Sequence, residues 1–343
     1  MDREPKPGTL ITNSLPHART GHLNNMRAVR LGSSLRLEAQ YSKPNPPLGE
    51  ALIRVHQAGV CETDIQLVKG YMDFRGTLGH EFVGTVEQAI GYEHLTGKRV
   101  VGEINAACRI CPTCLAGHLT HCPNRTTLGI DRRDGAFADY LCLPVENLYP
   151  LPEDITNDQA IFIEPLAAAC QILEQVSIAP TDRVVVIGDG KLGILCAQVL
   201  HSTRCQLSVV GQHPEKLALL SQQGIHTTVE VKDISPGVDT IIEATGSPDG
   251  LKLANQLVRP RGTIVLKSTY HGQTTFDFTS LVINEITIVG SRCGPFPQAI
   301  ELLRKNTVSV EPLIQARYSI DQGVEAIERA ATPATLKVIL TMD

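Results

Sequence analysis

Between Gly59 and Gly84 the chain reads GVCETDIQLVKGYMDFRGTLGHEFVG, which crowds chemistry-bearing side chains into a short span. Cys61 offers a thiolate, Thr63 a hydroxyl, Asp64 a carboxylate, and His80 and Glu81 an imidazole beside a second carboxylate. Thiolate, imidazole and carboxylate all bind zinc, and a mixed set that leaves one coordination position open is the pattern of a catalytic metal. Gly59, Gly79 and Gly84 bracket the set, where sharp turns aim side chains inward. Glu164 joins from far away. It stands in the apolar run IFIEPLAAA, where an isolated carboxylate must be paired, hydrogen-bonded or metal-associated.

A second set has tighter spacing: Cys108-x2-Cys111-x2-Cys114-x7-Cys122. Four thiolates with such spacers wrap one tetrahedral zinc and leave no open position, which makes the site structural. His118 and His121 lie in the same loop, but the four-sulfur set is complete without them. The third set is Gly188-x-Gly190-x-x-Gly193, read as GDGKLG with Lys191 and Leu192 inside it. It follows the strand-like VVVIG and opens the helix-like KLGILCAQVLH. Glycines there let backbone N–H groups approach a pyrophosphate at a helix N-terminus.

The elements that position these groups fall into two textures. From Met26 to about Pro152, short alternating strands such as SLRLEAQY, GEALIRVHQAG, HEFVGTVEQAI and KRVVGEI sit between Gly, Pro and Asn turns, predicting a partly closed β-barrel-like domain. NDQAIFIEPLAAACQILEQV then reads as one helix starting at Asn157 or Asp158. From about Thr181, QLSVV, TTVEV, VDTIIEATG, GTIVLKS and ITIVGS alternate with helices, which predicts a doubly wound parallel sheet. The tail after Arg292 has no further βαβ partner and returns to the first domain. The expected division is 26–167 with 292–343, and 168–291 between them.

A chain of 343 residues, 42% hydrophobic and 20% charged, suits a two-domain globular enzyme. A net charge of -5 and a pI near 6.1, with no basic stripe, exclude a nucleic-acid binder. No apolar run is long enough to cross a bilayer. Residues 1–25 are polar, without periodicity and without the apolar core of a signal peptide, so a disordered extension is expected. Cysteines outside the metal-type positions are scattered in apolar segments, as in the reducing cytoplasm.

With GVCETD…GHEFVG, the four-cysteine lobe and GDGKLG in this order, the chain from Met26 to Asp343 resembles the zinc-containing medium-chain dehydrogenases/reductases, the superfamily of alcohol, sorbitol, threonine and glucose dehydrogenases. The resemblance implies an α/β architecture, a GroES-like β-rich catalytic domain plus a Rossmann domain, with the active site between them. It implies that Cys61 and His80 bind a catalytic zinc, with Glu81 or Glu164 as carboxylate ligand; the sequence leaves open which binds directly. It further implies that Asp64 orients the zinc histidine, that Thr63 takes the substrate proton, and that Lys337 lies near the cofactor phosphates. The expected reaction is hydride transfer between a nicotinamide cofactor and an alcohol, polyol or sugar, or the corresponding carbonyl. The alternative is a non-catalytic nucleotide-binding or interaction protein on the same fold.

Two departures from the resemblance carry expectations of their own. Gln66 stands where liver-type alcohol dehydrogenases end a proton relay in histidine, so the relay here must end in water or another group. No acidic residue follows QLSVV; the chain continues Gly211-Gln212-His213, with Lys216 nearby. An acid there would accept the ribose 2′-OH and repel a 2′-phosphate, so its absence predicts NADP(H) over NAD(H). The strand ITIVGS would leave an exposed sheet edge, from which a homodimer or homotetramer is expected.

Overall fold

The structure, a computed structural model, describes residues 25–269 and 275–342. The expected N-terminal extension therefore lies, apart from Asn25, outside the described residues.

The Glu50–Gly59 strand is the hub of the first region. Ala51, Leu52, Ile53, Val55 and Ala58 are buried along it, the apolar content that makes a strand pack on both neighbours. It pairs antiparallel with Glu81–Ala89, with Tyr140–Pro144 and with Lys337–Thr341. The full sheet runs from Leu148–Pro150 through Arg99–Gly102, Glu81–Ala89, Glu50–Gly59 and Lys337–Thr341 to Ile314–Ser319. The C-terminal strand thus returns to the first region, and its register sets Ile339 beside Gly59, which also faces Glu81.

The second sheet is parallel throughout, in the order His226–Thr228, Gln206–Val210, Arg183–Ile187, Val238–Glu243, Val258–Leu266, Thr287–Gly290. Numbered by sequence this is 3-2-1-4-5-6, so the strand order reverses beside Arg183–Ile187, where such sheets bind nucleotides. Val184 and Val186 face one apolar core while Val185 and Ile187 face another. Burial on both faces explains the unbroken apolar run, at about 1.5–3 kcal/mol for each fully buried valine. Of TTVEV only Thr227 and Thr228 join a strand, His226–Thr228, because a short helical turn begins at Val231.

The predicted single helix is two. Asn157–Ala160 is capped by Thr156, whose side chain accepts from Gln159, and Ile163–Gln175 follows after a break. Pro165 has no N–H to return to Ile161 and its ring clashes with that carbonyl, so one helix cannot run through. The second helix joins the regions: Ile163, Leu166, Ala169 and Ile172 share a core with Val83, Val184, Phe296 and Ile339. Among the described residues no helix is long and apolar enough to cross a membrane.

Candidate active site

Cys61 is the N-cap of the Glu62–Val68 helix, and Asp64 lies in its first turn. Asp64 is fully buried and is shared by both ligand-bearing loops. Its Oδ2 accepts the Cys61 N–H at 2.8 Å, and its Oδ1 accepts the Gly79 N–H at 3.1 Å. Oδ1 also lies 3.4 Å from Nδ1 of His80, a buried nitrogen with no other partner. Burial disfavours a charged His80, yet Asp64 and then Cys61 outweigh it and hold the imidazole well above its usual range. The ring therefore stands between two acidic groups. Thr63 Oγ1 lies 3.8 Å from Cys61 Sγ, and Gln66 donates to Glu62 at 2.8 Å.

The two glutamates have different surroundings. Glu81, buried beside Gly59, is ion-paired with Lys337, and both side chains are 1% exposed. A Cβ on Gly59 would collide with Glu81 Oε2 and with Ile161, so glycine is required there for the pair to form. Glu164, in the first turn of the Ile163–Gln175 helix, has no such partner. Burial pushes its carboxyl up to about 7, with His80 pulling it down and Glu81 and Glu103 pushing further up. Cys61, His80 and Glu164 offer S, N and O donors of the types that bind zinc, but their donor atoms do not all lie within 4.8 Å of one another.

The four-cysteine lobe is assembled. Cys111 Sγ lies 3.5 Å from Cys114 and 3.8 Å from Cys122, and Cys122 lies 3.5 Å from Cys108. A tetrahedron with Zn–S near 2.3 Å has edges of about 3.8 Å, while a disulfide needs about 2.05 Å. All ten cysteines are free. Among the described residues this is the one group whose donor atoms all lie within 4.8 Å of one another.

Residues 47–153 match the family model for the alcohol dehydrogenase GroES-like domain, and residues 192–305 that for zinc-binding dehydrogenases. The chain belongs to the zinc-containing medium-chain dehydrogenase/reductase superfamily. The sorbitol dehydrogenase of Halalkalibacterium halodurans is 29% identical over 88% of this chain and 95% of its own. A zinc-binding dehydrogenase from Sinorhizobium meliloti 1021, solved with NADP, is 27% identical with a TM-score of 0.82, over 92% of this chain and 99% of its own. An alcohol dehydrogenase from Escherichia coli CFT073, solved with NADH, is 26% identical with a TM-score of 0.85, over the same shares. The protein is a zinc-dependent oxidoreductase that uses a nicotinamide cofactor on an alcohol or its carbonyl.

On the cofactor side of this dehydrogenase, the Lys191–His201 helix begins at Gly190 with no side-chain cap, leaving its first N–H groups for a ligand. A Cβ on Gly193 would strike the carbonyl of Gly188, and one on Gly190 would meet open space. Burial, then the charge of Lys337, pushes Lys191 below its usual range, with Cys61, Glu81 and Glu62 acting the other way. Lys337 is the partner of Glu81, a pairing the sequence did not reveal.

The loop after Gln206–Val210 has an acidic neighbour that its own sequence does not supply. Asp189, from the glycine motif, fills the space beside Gly211. Asp189 Oδ2 accepts the N–H of Gln212 and of His213, each at 2.7 Å, and the His213 ring lies at 3.1 Å. The Gly211 N–H goes to Thr228, and Lys216 is buried. The expected preference for NADP(H) rests on residues 211–216, and Asp189 adds an acid from outside them. The signal was an acidic residue in the motif followed by glycine at the strand end.

Other polar groups around the cleft come from distant segments, which no local pattern joins. Glu103 accepts from Asn105 at 2.6 Å, and Asn105 reaches Cys293 at 3.3 Å and accepts from Arg292 at 3.2 Å. Arg292 also donates to Thr120 in the cysteine lobe. Buried Lys267 donates to the carbonyl of Ala168 at 2.6 Å and to Ser291 at 3.1 Å, tying the helix that carries Glu164 to the segment before Arg292.

Proposed function

We propose that the protein interconverts a polyol- or sugar-type secondary alcohol and its carbonyl, with Cys61, His80 and Glu164 holding one zinc and the four cysteines a second. The observation that carries the ligand choice is the Glu81–Lys337 pair, which leaves Glu164 as the carboxylate without a fixed cation. When bound, the metal supplies Lewis acidity at the substrate oxygen and the nicotinamide supplies the hydride acceptor or donor. Asp64 orients the His80 ring through Nδ1 and anchors the Cys61 backbone, so both donors point into one space. Thr63 Oγ1 takes the substrate proton. Gln66 is engaged with Glu62 and has no basic nitrogen, so the proton passes from Thr63 to water. The acidic and amide groups of Glu103 and Asn105 suit a hydroxyl-rich substrate, as does the resemblance to a sorbitol dehydrogenase.

The catalytic unit on this reading is 26–167 with 292–343, and the cofactor unit is 168–291, with the return of Lys337–Thr341 to Glu50–Gly59 as its main support. The protein assembles as a homodimer or homotetramer through the Thr287–Gly290 edge, near which Phe278, Val282 and Ile283 are exposed; light scattering at micromolar concentration checks this. Ten free cysteines favour the cytoplasm.

The decisive experiment combines elemental analysis with a panel of polyols, sugars and simple alcohols. Two zinc ions per chain and turnover of polyols are expected. One zinc, confined to the lobe, with no turnover would leave the non-catalytic alternative.

A further inference from the structure

We propose that Asp189 is the residue that recognises the adenosine ribose, and that it makes this enzyme prefer NAD(H) over NADP(H). This rests on the dehydrogenase reading above and goes beyond it to cofactor selection by a residue inside the glycine motif.

The placement of Asp189 is specific. Gly211 ends the second strand of the parallel sheet, and a Cβ there would stand 2.5 Å from Asp189 Oδ2 and 2.6 Å from its Cβ. A side chain at position 211 and the one at 189 would compete for the same space, so the carboxylate comes from the glycine motif instead of from the strand end. The Asp189 side chain is 9% exposed, so little of it is open to solvent. Burial opposes its charge, but the N–H and ring of His213 and the N–H of Gln212 outweigh burial and hold it below the usual carboxylate range.

The hydrogen-bond count separates the two cofactors. A 2′-phosphate needs donors at this loop, and the backbone N–H groups of Gln212 and His213 already donate to Asp189 Oδ2. The phosphate would also meet a fixed anion at short range. A 2′-hydroxyl is a donor, and Asp189 Oδ1, engaged only by the His213 ring at 3.1 Å, keeps acceptor capacity for it. No arginine lies in the Gly211–Lys216 loop to answer a phosphate.

Isothermal titration of the zinc-loaded enzyme with NADH and with NADPH tests this without reliance on turnover. The wild type should bind NADH at least about tenfold more tightly. Asp189→Asn should bring the two constants to within about threefold, and Asp189→Gly combined with Gly211→Asp should restore the preference from the strand end. Should the variants not fold, competition by 5′-AMP against 2′,5′-ADP on the wild type answers the same question, with 5′-AMP expected to bind more tightly. Equal or tighter NADPH binding by the wild type overturns the proposal. So does an Asp189→Asn protein that loses both cofactors equally with its ratio unchanged, since that is a loop-holding role only. Binding of neither dinucleotide by a folded wild type would sink the dehydrogenase reading itself, and this proposal with it.

Discussion

The cysteine lobe and the proposed catalytic site differ in how their donors are brought together. In the lobe every donor lies between Cys108 and Cys122, and the four sulfurs are gathered within 4.8 Å. In the proposed catalytic site the donors come from a helix N-cap, a strand entrance and a helix first turn, with Asp64 linking only the first two. The pair that separates the two glutamates joins residues 256 apart. A local site can form as soon as its loop closes, whereas the cleft exists only once both sheets and the helix between them have packed.

The largest effect that sharpens this contrast is at the cleft donors. Cys61→Ala or His80→Ala should lower turnover by about three orders of magnitude or more, the scale of several kcal/mol at the transition state. The lobe metal and the fold should survive. Metal content falling from two to one per chain, with an unchanged melting curve, is the expected pattern; near-wild-type turnover in either variant removes that residue from the metal site.

Next is the pair that holds the cleft together from afar. Lys337→Met leaves Glu81 buried and unpaired, at a cost of about 3–5 kcal/mol by analogy with broken buried pairs. Glu81→Gln combined with Lys337→Met should recover much of that loss, because no buried charge remains alone. Denaturant titration of the single and double variants measures the difference. Equal stability of the two would mean that the pair is not the reason for the loss.

The smallest expected effect on turnover belongs to the lobe. Cys111→Ala should release the lobe metal and lower the melting temperature, while turnover per folded molecule at low temperature changes by less than about tenfold. Arg292 sets a limit to this independence, since it donates both to Thr120 in the lobe and to Asn105 beside the cleft. Loss of turnover with unchanged stability and metal content would show the lobe acting on chemistry directly.

The sequence by itself determined what is local. The four-cysteine spacing, the strand–glycine–helix punctuation at Gly188–Gly193 and the strand–helix alternation after Thr181 each need only neighbours along the chain. Period, turn chemistry and ligand spacing are properties of short segments, and they were legible as such. Tertiary structure alone decided that Glu81 belongs to Lys337 and that Lys267 ties the helix carrying Glu164 to the segment before Arg292. It also decided that Asp189 of the glycine motif fills the space beside Gly211, accepting the N–H groups of Gln212 and His213. A buried charge takes its partner from whatever the fold brings within reach, and in this chain those partners lie on strands and loops that pair only after long crossings.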